Sequence, residues 1–493
     1  MSFIRYDTGD LIEVDPGQPL KVKRVLGRKD EYIVGLNGTR LPSINFYTLF
    51  RDYTKISAFQ LVQYSTLEVV ALIRCSEPLS AEEKARLQQA LVLHIGKGVP
   101  IYIEEREKFF TNSDGKVLII SPQMGSYKLS SFESYSLPAQ RAWADQRQGI
   151  ASNKLDWNEA DEAPDRELLA VMRELFSSDH YLKWYPEARH AGLLKRLAAH
   201  VAVESDGHIL LTHGSDNGLR LILQAFTDKS VCMVIMPTYD NFRAQAQGFG
   251  NRIVGHPMRD GSAASLDGLL KEMERQEPRL LYVTNPNNPI GYQINNAGLA
   301  RLLSSAARFR GLVVVDEAYW EFSGETALPL LRDHDNLVIV RTFSKAFGLA
   351  GMRLGYVLAR PALIAALERI DNVKDVTMLS ATAAEYLLDH YAKVQSFVAA
   401  VNANKEAFYA YCRDRGIRYF PSAGNFVSYE VDSAERYLSF MAERRVFLRD
   451  RSAFFDGEFV RATIGGGEGF TKFLAADSAY RTAIATNATQ KPS

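Results

Sequence analysis

Cysteine is scarce in this chain: Cys75, Cys232 and Cys412 are the three in 493 residues, and no two of them form a CxxC pair. That spacing argues against a zinc knuckle, a dithiol centre or a disulfide framework, and favours buried free thiols in a reducing compartment. The nine histidines show neither an HExxH pattern nor any other paired-ligand spacing. Net charge is missing too, since 58 basic residues balance 58 acidic ones and leave no overall field to gather nucleic acid or anionic lipid. No apolar run reaches eighteen residues, and Met1-Ser2-Phe3-Ile4-Arg5-Tyr6-Asp7 lacks the apolar core of a secretory signal. These absences point to a cytoplasmic protein with no metal, membrane or nucleic acid among its expected partners.

What is present is a globular composition, 46% hydrophobic and 24% charged, in a chain long enough for about two to four domains. The first 122 residues read as a small α+β unit of short strands and turns. Ala58 to Tyr64 and Glu68 to Ile73 look like paired strands, and Val99 to Ile103 resumes strand. Between them Ser80-Ala81-Glu82-Glu83 supplies an N-cap with a capping-box glutamate, opening a helix through Leu87, Leu91 and Leu93. The polar, Ser-rich stretch over 123–150 has weak periodicity and reads as a linker.

Beyond it, long helices alternate with short apolar runs: His208 to Thr212, Val231 to Met236, Leu280 to Thr284, Leu312 to Asp316 and Asn336 to Val340. Continuous apolar strands between helices imply an α/β fold, a mostly parallel sheet covered on both faces. Ligands of such sheets gather at the carboxyl ends of the strands, and each candidate residue below stands just past one of those ends.

The segment Arg341 to Gly355 carries Lys345 among small and hydroxylated residues, with Arg353 two helical turns later. A lysine there can form a Schiff base with a carbonyl cofactor. Thr342, Ser344 and Arg353 suit a phosphate. After the first run, His213-Gly214-Ser215-Asp216 leads onto an amphipathic helix; it offers backbone N–H groups to an anion, or is a plain N-cap by Ser215 or Asp216. Tyr239 follows the second run, as a stacking ring or a core residue. Asn288 follows the third, in the turn-rich Asn285 to Gly291 loop. Asp316 ends the fourth, and a partly buried carboxylate needs a cation: a protonated pyridine nitrogen, or one of the arginines. Tyr319 lies three residues on.

Taken together these motifs resemble the fold-type I pyridoxal-phosphate enzymes, specifically the histidinol-phosphate aminotransferase branch of class I/II aminotransferases. The resemblance implies a three-layer sheet fold with an N-terminal arm over 151–200, a large domain over 201–375 and a small α+β domain over 376–493. It implies that Lys345 is the internal-aldimine lysine and proton shuttle, with Asp316 on the pyridine nitrogen. It places Asn288 and Tyr319 on the phenolic oxygen, Tyr239 on the ring, and Ser215, Asp216, Ser344 and Arg353 at the phosphate. Asp156-Trp157-Asn158-Glu159 is similar to the family's N-terminal "NEN" segment, with Ala160 in place of its second asparagine. Trp184-Tyr185-Pro186-Glu187 is similar to the motif whose tyrosine, here Tyr185, reaches the neighbouring subunit's cofactor, which implies a homodimer with shared sites. Gly424-Asn425-Phe426 and Val460-Arg461-Ala462 also match, so that Arg461 would grip a substrate carboxylate or phosphate, Arg449 would be a second anion contact, and Asn425 would border the substrate. Gly466-Gly467 depart from the family's more polar pattern.

In the first unit, Thr8-Gly9-Asp10, Gly27-Arg28-Lys29-Asp30 and Asn112-Ser113-Asp114-Gly115-Lys116 resemble the last motifs of adenylate-forming enzymes, closest to the phenylacetate–CoA ligase branch. By that resemblance Asp10 corresponds to the ribose-binding aspartate, Arg28 and Asp30 lie near the domain hinge, and Lys116 is the mobile lysine. The family's larger upstream half is missing, so residues 1–122 are expected not to activate an acid alone. A vestige, a docking module and the completing lid of a separately encoded adenylating partner remain as readings. The activity implied for the whole chain is amino transfer between an amino acid or phosphorylated amine and a 2-oxo acid. Alternatives are a decarboxylase of the threonine-phosphate type, an accessory partner of an adenylating enzyme, and a ligand-sensing regulator, against which the neutral, strand-rich start argues.

Overall fold

The computed structural model describes residues 10–15, 18–28, 32–34, 40–64, 68–96, 99–110, 119–123, 137–162, 165–178, 180–372 and 374–489. The chain divides into two compact units, Met1–Ser134 and Tyr135–Ser493.

The first unit opens with an antiparallel pair, β1 (Asp10–Asp15) and β2 (Gln18–Arg28), and a short pair, β3 (Tyr32–Val34) and β4 (Arg40–Pro42). Helix α1 (Ile44–Arg51) leads to a sheet of β5 (Ile56–Tyr64), β6 (Val69–Cys75), β7 (Ile101–Glu105) and β8 (Ile120–Gln123), ordered β7-β6-β5-β8. Helix α2 (Ala81–Ile95) joins β6 to β7, with Ser80 and Glu83 forming the expected reciprocal capping box. Its buried face is Leu87, Leu91 and Ile95, four residues apart, while Leu93 is 77% exposed. Leu93 lies about 200° around the helix from Leu91 and so faces away from that side. Of the adenylate-forming motif positions, Thr8, Gly9, Lys29, Asp30 and residues 112–116 lie outside the described residues.

The second unit begins with helix α3 (Leu137–Arg147), inside the stretch expected as a linker. Ala142 is buried and Asp145 pairs with Arg445 at 2.6 Å, which holds the helix to this unit. One buried alanine and one buried aspartate leave little apolar periodicity to read.

The main sheet has seven strands: β10 (Ile209–Thr212), β11 (Val231–Met236), β12 (Arg252–Pro257), β13 (Leu280–Thr284), β14 (Leu312–Asp316), β15 (Leu337–Thr342) and β16 (Gly355–Ala359). Their order is β10-β16-β15-β14-β13-β11-β12, and β16 runs antiparallel to both neighbours. The five runs read from the sequence are five of these strands. Edge strand β12 was not among them because its residues are half-buried or exposed, nor was β16, which follows the lysine loop directly. Successive side chains feed opposite cores. Met233, Leu281, Val313, Val315 and Ile339 pack into one, while Cys232, Tyr282, Val314 and Val340 pack into the other. Each such buried aliphatic side chain contributes on the order of 1.5–3 kcal/mol, so an α/β sandwich is where this pattern is stable.

The remaining elements form a smaller layer. Strands β17 (Tyr419–Phe420), β18 (Phe426–Glu430), β20 (Arg449–Asp450) and β21 (Phe459–Thr463) make an antiparallel sheet ordered β17-β18-β21-β20. Strand β9 (Asn153–Lys154) pairs with β19 (Val446–Phe447), anchoring the segment that follows it. Among the described residues no helix is long and apolar enough to cross a membrane, and no three His, Cys, Asp or Glu side chains gather as metal ligands. Cys75, Cys232 and Cys412 are free thiols.

Candidate active site

Parallel pairing brings the carboxyl ends of β11, β13, β14 and β15 to one edge of the sheet, with Thr284 opposite Asp316. Above that edge lies a cavity of about 640 Å³, lined by ten of the residues singled out in the sequence: Lys345, Ser344, Arg353, Ser215, Asp216, Tyr239, Asn288, Asp316, Tyr319 and Arg461.

Lys345 follows β15 on a tight loop, and its Nζ donates to the Trp157 carbonyl at 2.7 Å. Burial draws its pKa down to about 8; the Arg461 and Lys154 charges act in the same direction, and Glu159 and Asp216 oppose them. About a tenth of the amine is therefore free base at about pH 7, far more than for an ordinary lysine, and that is the form that attacks a carbonyl.

Asp316 is 6% exposed. Its Oδ2 accepts from the Tyr282 hydroxyl at 2.6 Å and its Oδ1 from the Ala318 N–H at 3.1 Å. Burial lifts its pKa to about 6 against the pull of those two hydrogen bonds. Among the described ion pairs Asp316 has no part. Arg341, on the neighbouring strand β15, pairs instead with the buried Glu317 at 2.9 Å. A buried carboxylate with only neutral donors is short of a cation, and a protonated pyridine nitrogen supplies one.

Helix α4 (Gly214–Phe226) points its N-terminus at the same cavity. Neither Ser215 nor Asp216 caps it. The N-cap position is His213, without a side-chain capping bond, so the first-turn N–H groups are open to an anion. Arg353 closes the cradle, donating to Ser344 Oγ at 3.4 Å and reaching Asp216 Oδ2 at 3.5 Å. Gly214 permits this with φ +75°, and a Cβ there would come within 2.6 Å of Arg353 Nη2. Tyr239 and Asn241 each donate to Asp216 Oδ1 at 3.0 Å.

On the opposite wall, Tyr319 Oη accepts from Asn158 Nδ2 at 3.0 Å and Asn288 Nδ2 at 3.3 Å. Arg461, on β21, donates to Asn288 Oδ1 at 2.6 Å and to the Asp156 carbonyl at 2.5 Å. Asn158 takes φ +56°, and its N–H donates to Thr463 Oγ1 at 3.0 Å.

Three expected residues lie elsewhere. Asn425 is fully buried behind the wall, donating to the Asn158 carbonyl at 3.1 Å. Arg449 pairs across the sheet with Arg461 but does not line the cavity. Tyr185 is 79% exposed, with the Lys374 ammonium 4.5 Å from its ring centre, and stays outside the cavity of its own protomer. Gly466 and Gly467 do not line the cavity either. Conversely, Trp143 on α3, Trp157, Glu159 and Asn241 line it without having been assigned a role. Trp143 was hidden in the supposed linker. Tyr282 also went unassigned, although a tyrosine in an otherwise aliphatic strand needs a partner for its hydroxyl.

A reactive lysine, a cation-seeking carboxylate and an open anion cradle around one cavity define the cofactor site of a pyridoxal-phosphate enzyme. Residues 150–469 match the family model described as aminotransferase class I and II, and the chain belongs to that family. It is a pyridoxal-phosphate-dependent aminotransferase. A dihydroxyacetone phosphate transaminase of Campylobacter jejuni is 30% identical over 304 residues, 61% of this chain and 82% of that protein. A histidinol-phosphate aminotransferase of a Geobacillus species is 33% identical over 306 residues, 61% of this chain and 81% of its own length. The structure of histidinol-phosphate aminotransferase from Sinorhizobium meliloti in complex with pyridoxal-5'-phosphate is similar at 25% identity and TM-score 0.60, covering 71% of this chain and 96% of that one.

Proposed function

We propose that this chain transfers an amino group between a small phosphorylated amine or amino acid and a 2-oxo acid, and does so as a homodimer. The observation that carries the site assignment is Asp316, buried without a cation in the same cavity as the Lys345 amine and the uncapped N-terminus of α4. The names of the two relatives, dihydroxyacetone phosphate transaminase and histidinol-phosphate aminotransferase, support a phosphate-bearing substrate.

Bound pyridoxal phosphate supplies an aldehyde that takes up amines and a ring that withdraws electrons from them. Lys345 would carry it. Asp316 would hold the proton on its ring nitrogen, Asn288 and Tyr319 would bond its phenolic oxygen, and Tyr239 would face the ring. Ser215, Asp216, Ser344 and Arg353 would surround its phosphate, with Arg353 and the α4 N–H groups supplying the positive field. Arg461 binds the substrate's anionic end through its planar fork, fixed in place by Asn288 and the Asp156 carbonyl. Lys345, once free, takes the proton from the substrate's Cα, and a pKa near 8 suits that task at neutral pH. The exposed Tyr185 supports the dimer, in which each protomer's tyrosine extends towards the other's phosphate cradle.

The test is borohydride reduction of the holoenzyme followed by peptide mapping, with a panel of amino donors assayed for keto product and for carbon dioxide. A pyridoxyl group on Lys345 and keto product from a phosphorylated amine support the assignment. An adduct elsewhere sinks the site, and carbon dioxide in place of keto product makes the enzyme a decarboxylase.

For the first unit, we infer a docking or lid module for a separately encoded adenylating enzyme. Its support is the motif resemblance together with a core of its own, built on Phe46, Leu61, Ala71, Leu87 and Leu91. Pyrophosphate exchange by the isolated chain with a panel of acids would overturn that reading.

A further inference from the structure

One charged cluster at the cavity wall stands apart from the residues proposed to hold cofactor and substrate. Lys154, the last residue of β9, is 18% exposed and forms ion pairs with Glu159 and, at 3.1 Å, with the fully buried Asp156. Its ammonium also stands 4.0 Å from the centre of the Trp157 ring. The three residues it touches belong to the segment that supports Lys345. Trp157 offers the carbonyl that accepts from Lys345 Nζ at 2.7 Å, and Glu159 lines the same cavity as that amine. Asn158, between them, is tied to Tyr319 and Thr463. Lys154 therefore holds the carboxylate that faces the reactive amine, from outside the cavity lining.

The charges around Lys345 come from four parts of the chain. Glu159 and Lys154 belong to this segment, Asp216 to α4, Asp316 to the end of β14, and Arg461 to β21, while the Tyr319 ring lies 5.8 Å from Nζ. Asp216 is engaged by Tyr239, Asn241 and Arg353, and Asp316 by Tyr282. Glu159 is the carboxylate whose hold on the amine depends on one partly exposed partner. Its charge is also the strongest single-residue influence favouring the protonated amine, second only to the opposing effect of burial.

We propose that the Lys154–Glu159 ion pair sets the protonation of the Lys345 amine. Glu159 draws a proton onto the amine, and Lys154, by occupying Glu159, restrains that pull and raises the share of free base. Lys154 is thus a positioning and tuning residue that acts through Glu159. The inference rests on the assignment of Lys345 as the reactive lysine.

Competitive acetic anhydride labelling of the cofactor-free full-length chain, followed between about pH 6 and 10 on the Lys345 peptide, reads the amine directly. Glu159→Gln removes the carboxylate and leaves Lys154 with Asp156 as its remaining ion-pair partner, so the labelling midpoint should fall by about one pH unit. Lys154→Met removes a cation and leaves Glu159 unpaired, so the midpoint should rise by about as much. Lys154→Arg should keep the wild-type midpoint, and the double variant Lys154→Met/Glu159→Gln should return towards it. General damage to the fold does not move two variants in opposite directions. Midpoints that stay put, or shift the same way in both single variants, overturn the proposal while Lys345 remains the borohydride-trapped residue. Absence of that trapped adduct instead sinks the underlying assignment, and the proposal with it.

Discussion

Tyr282 and Asp316 lie on adjacent strands, β13 and β14, and the Tyr282 hydroxyl donates to Asp316 Oδ2 at 2.6 Å. It is a neutral donor where a buried carboxylate would be better served by a cation. In the cofactor-free chain Asp316 is therefore a cost to the fold, which the cofactor's ring nitrogen would offset under the proposed assignment.

The sign of that cost fixes its pH dependence. Asp316 titrates at about 6 when folded and at about 3.9 when unfolded. Between those values the folded chain binds more protons than the unfolded one, so stability from this group falls as pH rises from about 4 to 6. The penalty is complete above that range, at about 3 kcal/mol as an order of magnitude. Asp316→Asn should raise the melting temperature of the cofactor-free protein at neutral pH by a few degrees, with the gain vanishing near pH 4. The same variant should lose most of its turnover. Thermal melts of both forms across pH check this, and a lower melting temperature at neutral pH would contradict it.

The Lys345 amine titrates at about 8, well below an ordinary lysine. Capture of added pyridoxal phosphate by the cofactor-free protein should therefore quicken with pH and level off above about 8, not 10. Stopped-flow absorbance gives that profile, and Lys345→Ala should abolish the stable adduct.

Arg461 spends two of its donors on Asn288 Oδ1 and the Asp156 carbonyl, so the plane of its guanidinium is fixed before substrate arrives. Lysine keeps the charge but loses the fork. Arg461→Lys should raise KM for the amino donor by about one to two orders of magnitude, since bidentate charge-assisted bonds contribute about 1.5–3 kcal/mol. Cofactor retention should hold. Steady-state kinetics beside the cofactor absorbance separates the two effects.

Gly214 combines φ +75° with a 2.6 Å approach of its missing Cβ to Arg353 Nη2. Gly214→Ala should strain the turn by about 1–2 kcal/mol and push the guanidinium from the cradle, weakening cofactor affinity at least tenfold. Equilibrium dialysis of the holoenzyme measures this, and an unchanged dissociation constant would show that the phosphate is held elsewhere.

Much of this was written locally. The strands β11, β13 and β14 were legible to the residue because a run buried on both faces has to be apolar throughout. The α2 capping box was legible for the same local reason, since its two hydrogen bonds join residues three apart. Edge strand β12 was not, because its residues are half-buried or exposed, and helix α3 was not, because what holds it comes from far along the chain: Asp145 Oδ1 accepts from Arg445, three hundred positions on.

The site divides along the same line. The amino-acid sequence determined which groups carry the chemistry, because an amine, a carboxylate and an uncapped helix start keep their character wherever the backbone takes them. Only the tertiary structure decided what each of them faces. It gave Arg341 to Glu317 and left Asp316 to Tyr282, put Arg449 outside the cavity lining, and set Lys154 behind Glu159 in the wall of the cavity that Lys345 lines. Electrostatic partnership depends on distance through space and on burial, and neither is encoded in spacing along the chain.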